Sequence, residues 1–196
     1  MPVLPIPMII ALLLCGILIH RTVTRESHVT LLALIAACAV QATIVALVQY
    51  YGFAGLRPVQ AVFAMTIAPI AWAAFRNAAG GDVRMSKLLW HCIGAVVAII
   101  FLFLNPYLLD VLIPLSFAGY GLAILLHLWR GEDSLLHSRL ESGARALLAW
   151  RILGVSLIAS ALCDILIAYG MAQGVQSVVL WIPSLVSSLS LLSLGA

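Results

Sequence analysis

From Ile152 to Gly170 the chain carries a single charged side chain, Asp164, in an otherwise uncharged and mostly apolar run. A carboxylate in such a run does one of three things. It pairs with a cation and fixes helix register, it lines a polar pocket, or it carries a proton. Asp164 lies thirteen residues after Arg151, about 20 Å along a helix axis. A charge within a membrane span costs about 2.5–3.5 kcal/mol at its centre, so Asp164 is expected to face the bundle or a wet cavity and to have a partner. The candidates at a similar depth are Asp110, near the start of another apolar run, and Arg57. An Arg57–Asp pair would lower the cost of burying either charge. Gln41, Gln49, Gln60 and Ser160 are polar groups within neighbouring runs. Together with Asp164 they exceed what one ion pair needs, so they form a candidate ligand site for a small or lipid-like molecule. Trp72, Tyr107 and Trp181 are candidate apolar walls, and an amphiphile with its head in the outer leaflet would suit such a cavity. The ion-pair, pocket and proton-relay readings all stay open at this level.

Other chemistries find less support. His20, His28, His91, His127 and His137 show neither HxxxH nor HExxH spacing, so they read as interfacial histidines on loop edges and no metal site is expected. Cys15, Cys38, Cys92 and Cys163 sit inside apolar runs without CxxC spacing and read as small packing residues. The one lysine, Lys87, falls in an expected loop, which excludes a retinal Schiff base in the last span. Ser184, Ser187 and Ser188 have no base on their own helix and read as interhelical hydrogen-bonding residues. No catalytic residue and no cofactor are expected, and the chain reads as non-enzymatic.

The elements that must position these residues are membrane helices. The chain is 64% hydrophobic and 9% charged, against ~25% charged in ordinary soluble domains. Its 196 residues form one expected membrane domain with spans at about 3–19, 29–50, 58–75, 88–104, 107–129, 146–170 and 176–194. The first lacks the basic flank and cleavage site of a signal peptide. It is expected to be short and distorted near Pro5 and Pro7. Pro69 and Pro114 predict kinks within spans three and five, and Pro183 one within span seven. Residues 130–144 (RGEDSLLHSRLESGA) predict a short amphipathic helix on the membrane surface.

Lys and Arg are unevenly shared among the loops. Arg21, Arg25, Arg76, Arg84, Lys87, Arg130, Arg139, Arg145 and Arg151 belong to one side of the seven-span arrangement, and Arg57 alone to the other. The positive-inside rule then places the N-terminus outside and the C-terminus in the cytoplasm. The sequence stops at Ala196, two residues past the expected seventh span and without a basic flank, so the natural protein is expected to continue into the cytosol.

Two stretches resemble a known family. Residues 136–154 (LHSRLESGARALLAWRILG) followed by 160–164 (SALCD), and 48–52 (VQYYG) followed by 56–60 (LRPVQ), are similar to the multi-span N-terminal membrane domain of certain bacterial AraC-type transcriptional regulators. The likeness runs roughly from residue 29 to 172. It implies a signal-sensing input domain in the bacterial inner (cytoplasmic) membrane, followed by a cytoplasmic helix-turn-helix domain that this sequence lacks. The expectation is therefore an all-α bundle of seven transmembrane helices that senses a ligand. Its site residues would be Arg57, Asp110, Asp164, Gln41, Gln49, Gln60 and Ser160. Its partners would be membrane lipids, a small amphiphilic ligand and, through the missing domain alone, DNA. A homodimer is compatible with this. The rival expectation is a small proton-coupled transporter using Asp164 or Asp110.

Overall fold

The structure, a computed structural model, describes residues 5–24, 29–80, 85–130 and 143–173, with side chains described except at 85–92, 143–145 and 171–172. Six helices account for almost all of these residues: α1 (Ile6–Thr24), α2 (Val29–Gln49), α3 (Arg57–Ala78), α4 (Met85–Leu104), α5 (Leu109–Arg130) and α6 (Gly143–Ala172). By length and composition α1, α2, α3, α5 and α6 can each cross a membrane, and α4 adds the apolar stretch Ile93–Leu104. The protein is therefore an all-helical, membrane-type bundle. The expected seventh span at 176–194 and most of the expected surface helix at 130–144 lie outside the described residues.

Several boundaries differ from the sequence expectation. Helix α1 does not stop at Ile19 but continues to Thr24. The hydroxyl of Thr22 donates back to the Leu18 carbonyl, and that of Thr24 reaches the carbonyls of His20 and Arg21, the last of which has no N–H partner within the helix. At its other end Pro7 falls in the first turn, where a missing N–H costs nothing. Helix α3 runs three residues past Phe75, and α4 starts at Met85, so Lys87 belongs to a helix rather than a loop. Between α2 and α3, Gly52 takes φ 76°, a left-handed value that glycine adopts without strain, and a 3-10 turn at Ala54–Leu56 leads into α3. Between α4 and α5, the side chain of Asn105 accepts from the Tyr107 N–H at 3.2 Å and starts a second 3-10 turn, Pro106–Leu108.

Helix α3 is the centre of the bundle. It packs on α2, α4 and α5, while α1 rests chiefly on α2 and α6 chiefly on α5. Its span is half buried, against about a tenth for α1. The cause is legible in its composition: Ala64, Ala68, Ala71, Ala73 and Ala74 are all buried and let neighbouring helices approach closely. The main core joins Leu34 and Ala37 of α2, Ile67, Ala71, Ala74 and Phe75 of α3, Ile124 and Leu128 of α5 and Leu157 of α6. Outward faces are apolar instead, with Leu115, Val155 and Leu162 more than half exposed, as a surface solvated by lipid chains requires.

Helices α5 and α6 approach closely at a pair of glycines. A Cβ added at Gly121 would lie 2.8 Å from the Gly154 carbonyl oxygen and 2.9 Å from the Ile158 side chain. One added at Gly154 would lie 2.9 Å from the Leu125 side chain. Two glycines facing each other thus fix where these antiparallel helices cross.

Candidate functional site

That crossing sets the level of the two acids. Asp110 lies eleven residues before Gly121 and Asp164 ten residues after Gly154. At a rise of ~1.5 Å per residue each is about 15–17 Å from the crossing, towards the same end of the bundle. Asp164 lies seven residues beyond the buried Leu157, nearly two full turns, and so shares its inward face. The Asp110 and Asp164 carboxyls are within coulombic reach of one another. Asp110 is exposed and Asp164 half-buried.

The expected cation partner is elsewhere. Arg57 is exposed at the start of α3, and among the described residues no ion pair joins it to Asp110 or Asp164. The reason lies in the packing order. Helix α6 leans on α5, whereas α3 meets α6 through Phe75 and Trp150, near the end of α3 opposite Arg57. Matching depth brought Arg57 and Asp164 level in the sequence, but direction around the bundle separates them.

The glutamines form a second group. The Gln41 amide donates to the Gln60 carbonyl at 3.5 Å, tying α2 to α3, and its own Oε1 is buried without a partner among the described residues. Gln49 is exposed in the last turn of α2. Ser160 is half-buried on α6, one turn before Asp164. Ser156, a turn earlier still, is exposed and donates to the Leu153 carbonyl at 2.9 Å. Among the described residues, the contacts of the seven expected site residues join them in two groups rather than one. They divide into an α5–α6 group (Asp110, Asp164, Ser160) and an α2–α3 group (Gln41, Gln60), with Gln49 and Arg57 exposed beside the α2–α3 turn.

Trp72, expected as a wall of that pocket, belongs to a cluster at the opposite end. Its ring lies 5.7 Å from that of Phe75 and 6.1 Å from His127, and the Arg76 guanidinium stands 6.0 Å from the Trp72 ring centre. Phe75, fully buried, meets His127 and Trp150 edge-on, each at 5.5 Å. Arg76 Nη1 approaches His127 Nε2 at 3.4 Å, and the Asn77 amide donates to the Thr30 hydroxyl at 3.0 Å. Since an Arg can only donate, His127 Nε2 is the acceptor of any hydrogen bond between them. Three helices are thereby joined through edge-on and tilted ring contacts and a cation–π contact. Sequence reasoning placed His127 on a loop edge and missed this cluster. The available signal was Trp72, Phe75 and Arg76 at helical i, i+3, i+4 spacing, with His127 two residues from the end of its own expected span.

Among the described residues no three of the His, Cys, Asp and Glu side chains gather closely enough to hold a metal ion. Cys15 is exposed, and Cys38 and Cys163 are half-buried free thiols. Trp181, Ser184, Ser187 and Ser188 lie outside the described residues. No protein-family model matches the chain, and neither a curated protein nor a solved structure matches it.

Proposed function

We propose that the chain is the membrane-embedded input domain of a bacterial signalling protein, as its resemblance to AraC-type regulators implies. In this reading residues 176–194 complete seven spans, the N-terminus is outside, and the C-terminus delivers a DNA-binding domain to the cytoplasm of a cell whose inner membrane holds the bundle. A small or lipid-like ligand acts at the outer half, where Arg57, Asp110, Asp164, Gln41, Gln49, Gln60 and Ser160 lie.

One observation carries the proposal. Helices α3 and α5 each run from this polar end to the Arg76–His127 contact at the other, with buried Pro69 and Pro114 between. Each proline removes a bond its N–H would make to the carbonyl four residues earlier, Met65 and Asp110 respectively. Helices so interrupted are suited to two packings, and a ligand with different affinity for the two biases the inner end.

Reading the coding sequence beyond Ala196 tests this directly. An in-frame helix-turn-helix domain is expected, and a stop codon at that point would remove the signalling role. A reporter fused after Ala196 should be active only in the cytoplasm, and one at Gly174 only outside. The reverse pattern overturns the orientation.

The Asp110–Asp164 juxtaposition favours a second reading, a proton-coupled transporter. Two carboxyls that interact through their charges titrate as a pair. In proteoliposomes a transporter would move protons in response to an imposed gradient, and Asp164→Asn would abolish the flux. The input-domain reading expects no flux from the unaltered protein.

A further inference from the structure

Where α3 begins, a groove of about 270 Å³ opens between α3 and α4, lined by Pro58, Val59, Val62, Phe63, Thr66 and Leu102. Its single polar side chain, Thr66, spends its hydroxyl on the Phe63 carbonyl of its own helix at 2.7 Å. The groove therefore offers hydrocarbon contact and no hydrogen bond. It falls short of the about 300–1,000 Å³ typical of drug-sized pockets and suits a narrow chain better than a compact polar molecule.

The surroundings of the mouth fix its depth. Tyr50, Tyr51 and Phe53 on the α2–α3 turn are about half exposed, and Tyr107 on the α4–α5 turn is 81% exposed. Exposed tyrosines on adjacent turns mark the level of lipid headgroups, where the ring meets hydrocarbon and the hydroxyl meets water. Arg57 immediately precedes the first lining residue, is exposed, and makes no ion pair among the described residues. It is also the one Lys or Arg in the sequence between Arg25 and Arg76. An unpaired cation at headgroup level above an apolar groove is complementary to one class of occupant.

We propose that the α3–α4 groove holds one acyl chain of an anionic phospholipid whose phosphate sits at Arg57. The site is separate from the acids of α5 and α6, and it stands whether or not the chain is a signalling domain. Its occupancy wedges the start of α3 against α4 and so makes the packing of the central helix sensitive to the charge of the surrounding bilayer.

The test uses the full chain in mixed micelles holding equal amounts of phosphatidylglycerol and phosphatidylcholine, with retained lipid read by native mass spectrometry. The unaltered protein should retain phosphatidylglycerol preferentially. Arg57→Gln should reduce that preference about fivefold, the effect of a single cation near a membrane surface. Arg21→Gln, at the opposite end of α1 and α2, should leave it unchanged. Val59→Phe fills the groove from its exposed rim without disturbing the core, and should lower retention of both lipids. Undiminished preference in Arg57→Gln would mean an adventitious lipid only and overturn the site. Undiminished retention in Val59→Phe would mean that the groove is covered by protein, either a second copy or residues 176–194, and would overturn it equally.

Discussion

At the end where α3 finishes, Trp72, Phe75, His127 and Trp150 share ring contacts at 5.5–6.1 Å, and Arg76 lies against both Trp72 and His127. At the end where α3 starts, Arg57 stands exposed, Gln41 keeps a buried oxygen without a partner among the described residues, and Asp110 of α5 lies within coulombic reach of Asp164 of α6. The first end is held by apolar contact between three helices. The second holds polar groups whose demands the described residues leave partly unmet. Local stability follows such differences, so the aromatic end should be the last to open and the polar end the one free to respond to a ligand. Rigidity at one end and unsatisfied chemistry at the other suit a device that converts an event at one face into a shift at the other.

The largest expected effect strikes the aromatic end. Phe75 is fully buried and touches three other rings, so Phe75→Ala should lower stability in detergent by about 3–5 kcal/mol. Tyr107→Ala, at the other end and 81% exposed, should stay within about 0.5 kcal/mol. Thermal unfolding followed by circular dichroism reads both, and equal effects would erase the contrast between the two ends.

The next concerns the crossing that serves both ends. Gly121→Val would drive a side chain into the Gly154 carbonyl, backbone that does not yield as a side-chain tip does, and should cost about 1–3 kcal/mol. Gly154→Ala meets chiefly the branched end of Leu125, which can rotate away, so its cost should be the smaller of the two. The reverse order would show that α5 and α6 cross at a different register, and the levelling of Asp110 with Asp164 would fall with it. Smaller again is Arg76→Gln, expected to cost about 1 kcal/mol by loosening the donor to His127 and the contact over Trp72.

Helix existence was largely legible in the sequence, because an apolar run of the right length has few other uses. The cores of α2, α3, α5 and α6 lie where hydropathy and loop charges place them. Ends were less so: α1 outlasts its apolar stretch because Thr22 and Thr24 bond back to their own helix, a local effect that hydropathy ignores. The site was legible in residue type but not in grouping. Depth along a span can be counted from the sequence, whereas direction around the bundle depends on which helices touch. Arg57 and Asp164 share a depth and not a neighbour. Gly121 and Gly154 each look like ordinary small residues until they are seen to face each other. His127 reads as a loop-edge histidine until Phe75 and Trp72 are placed around it.

The smallest expected effect is the most discriminating, since it asks which partner Asp164 has. A carboxylate paired with Arg57 loses stability when either is removed, and the two losses are non-additive. A carboxylate set against Asp110 behaves differently. Asp164→Asn removes one of two like charges, and Asp110→Asn then has no repulsion left to relieve. The Asp110→Asn and Asp164→Asn pair should show a coupling of about 0.5–1 kcal/mol in a double-mutant cycle, at the low end expected for groups in contact. Each single change should be neutral or mildly stabilising at neutral pH, because an amide keeps the shape of the acid and removes its charge. Arg57→Gln should add independently to Asp164→Asn, within about 0.3–0.5 kcal/mol, as distant sites do. If Arg57 instead proves coupled to Asp164 and Asp110 does not, α3 and α6 must approach at the polar end as well as at Phe75 and Trp150. The two ends would then be locked alike, and the polar end would lose the freedom on which a ligand-driven shift depends.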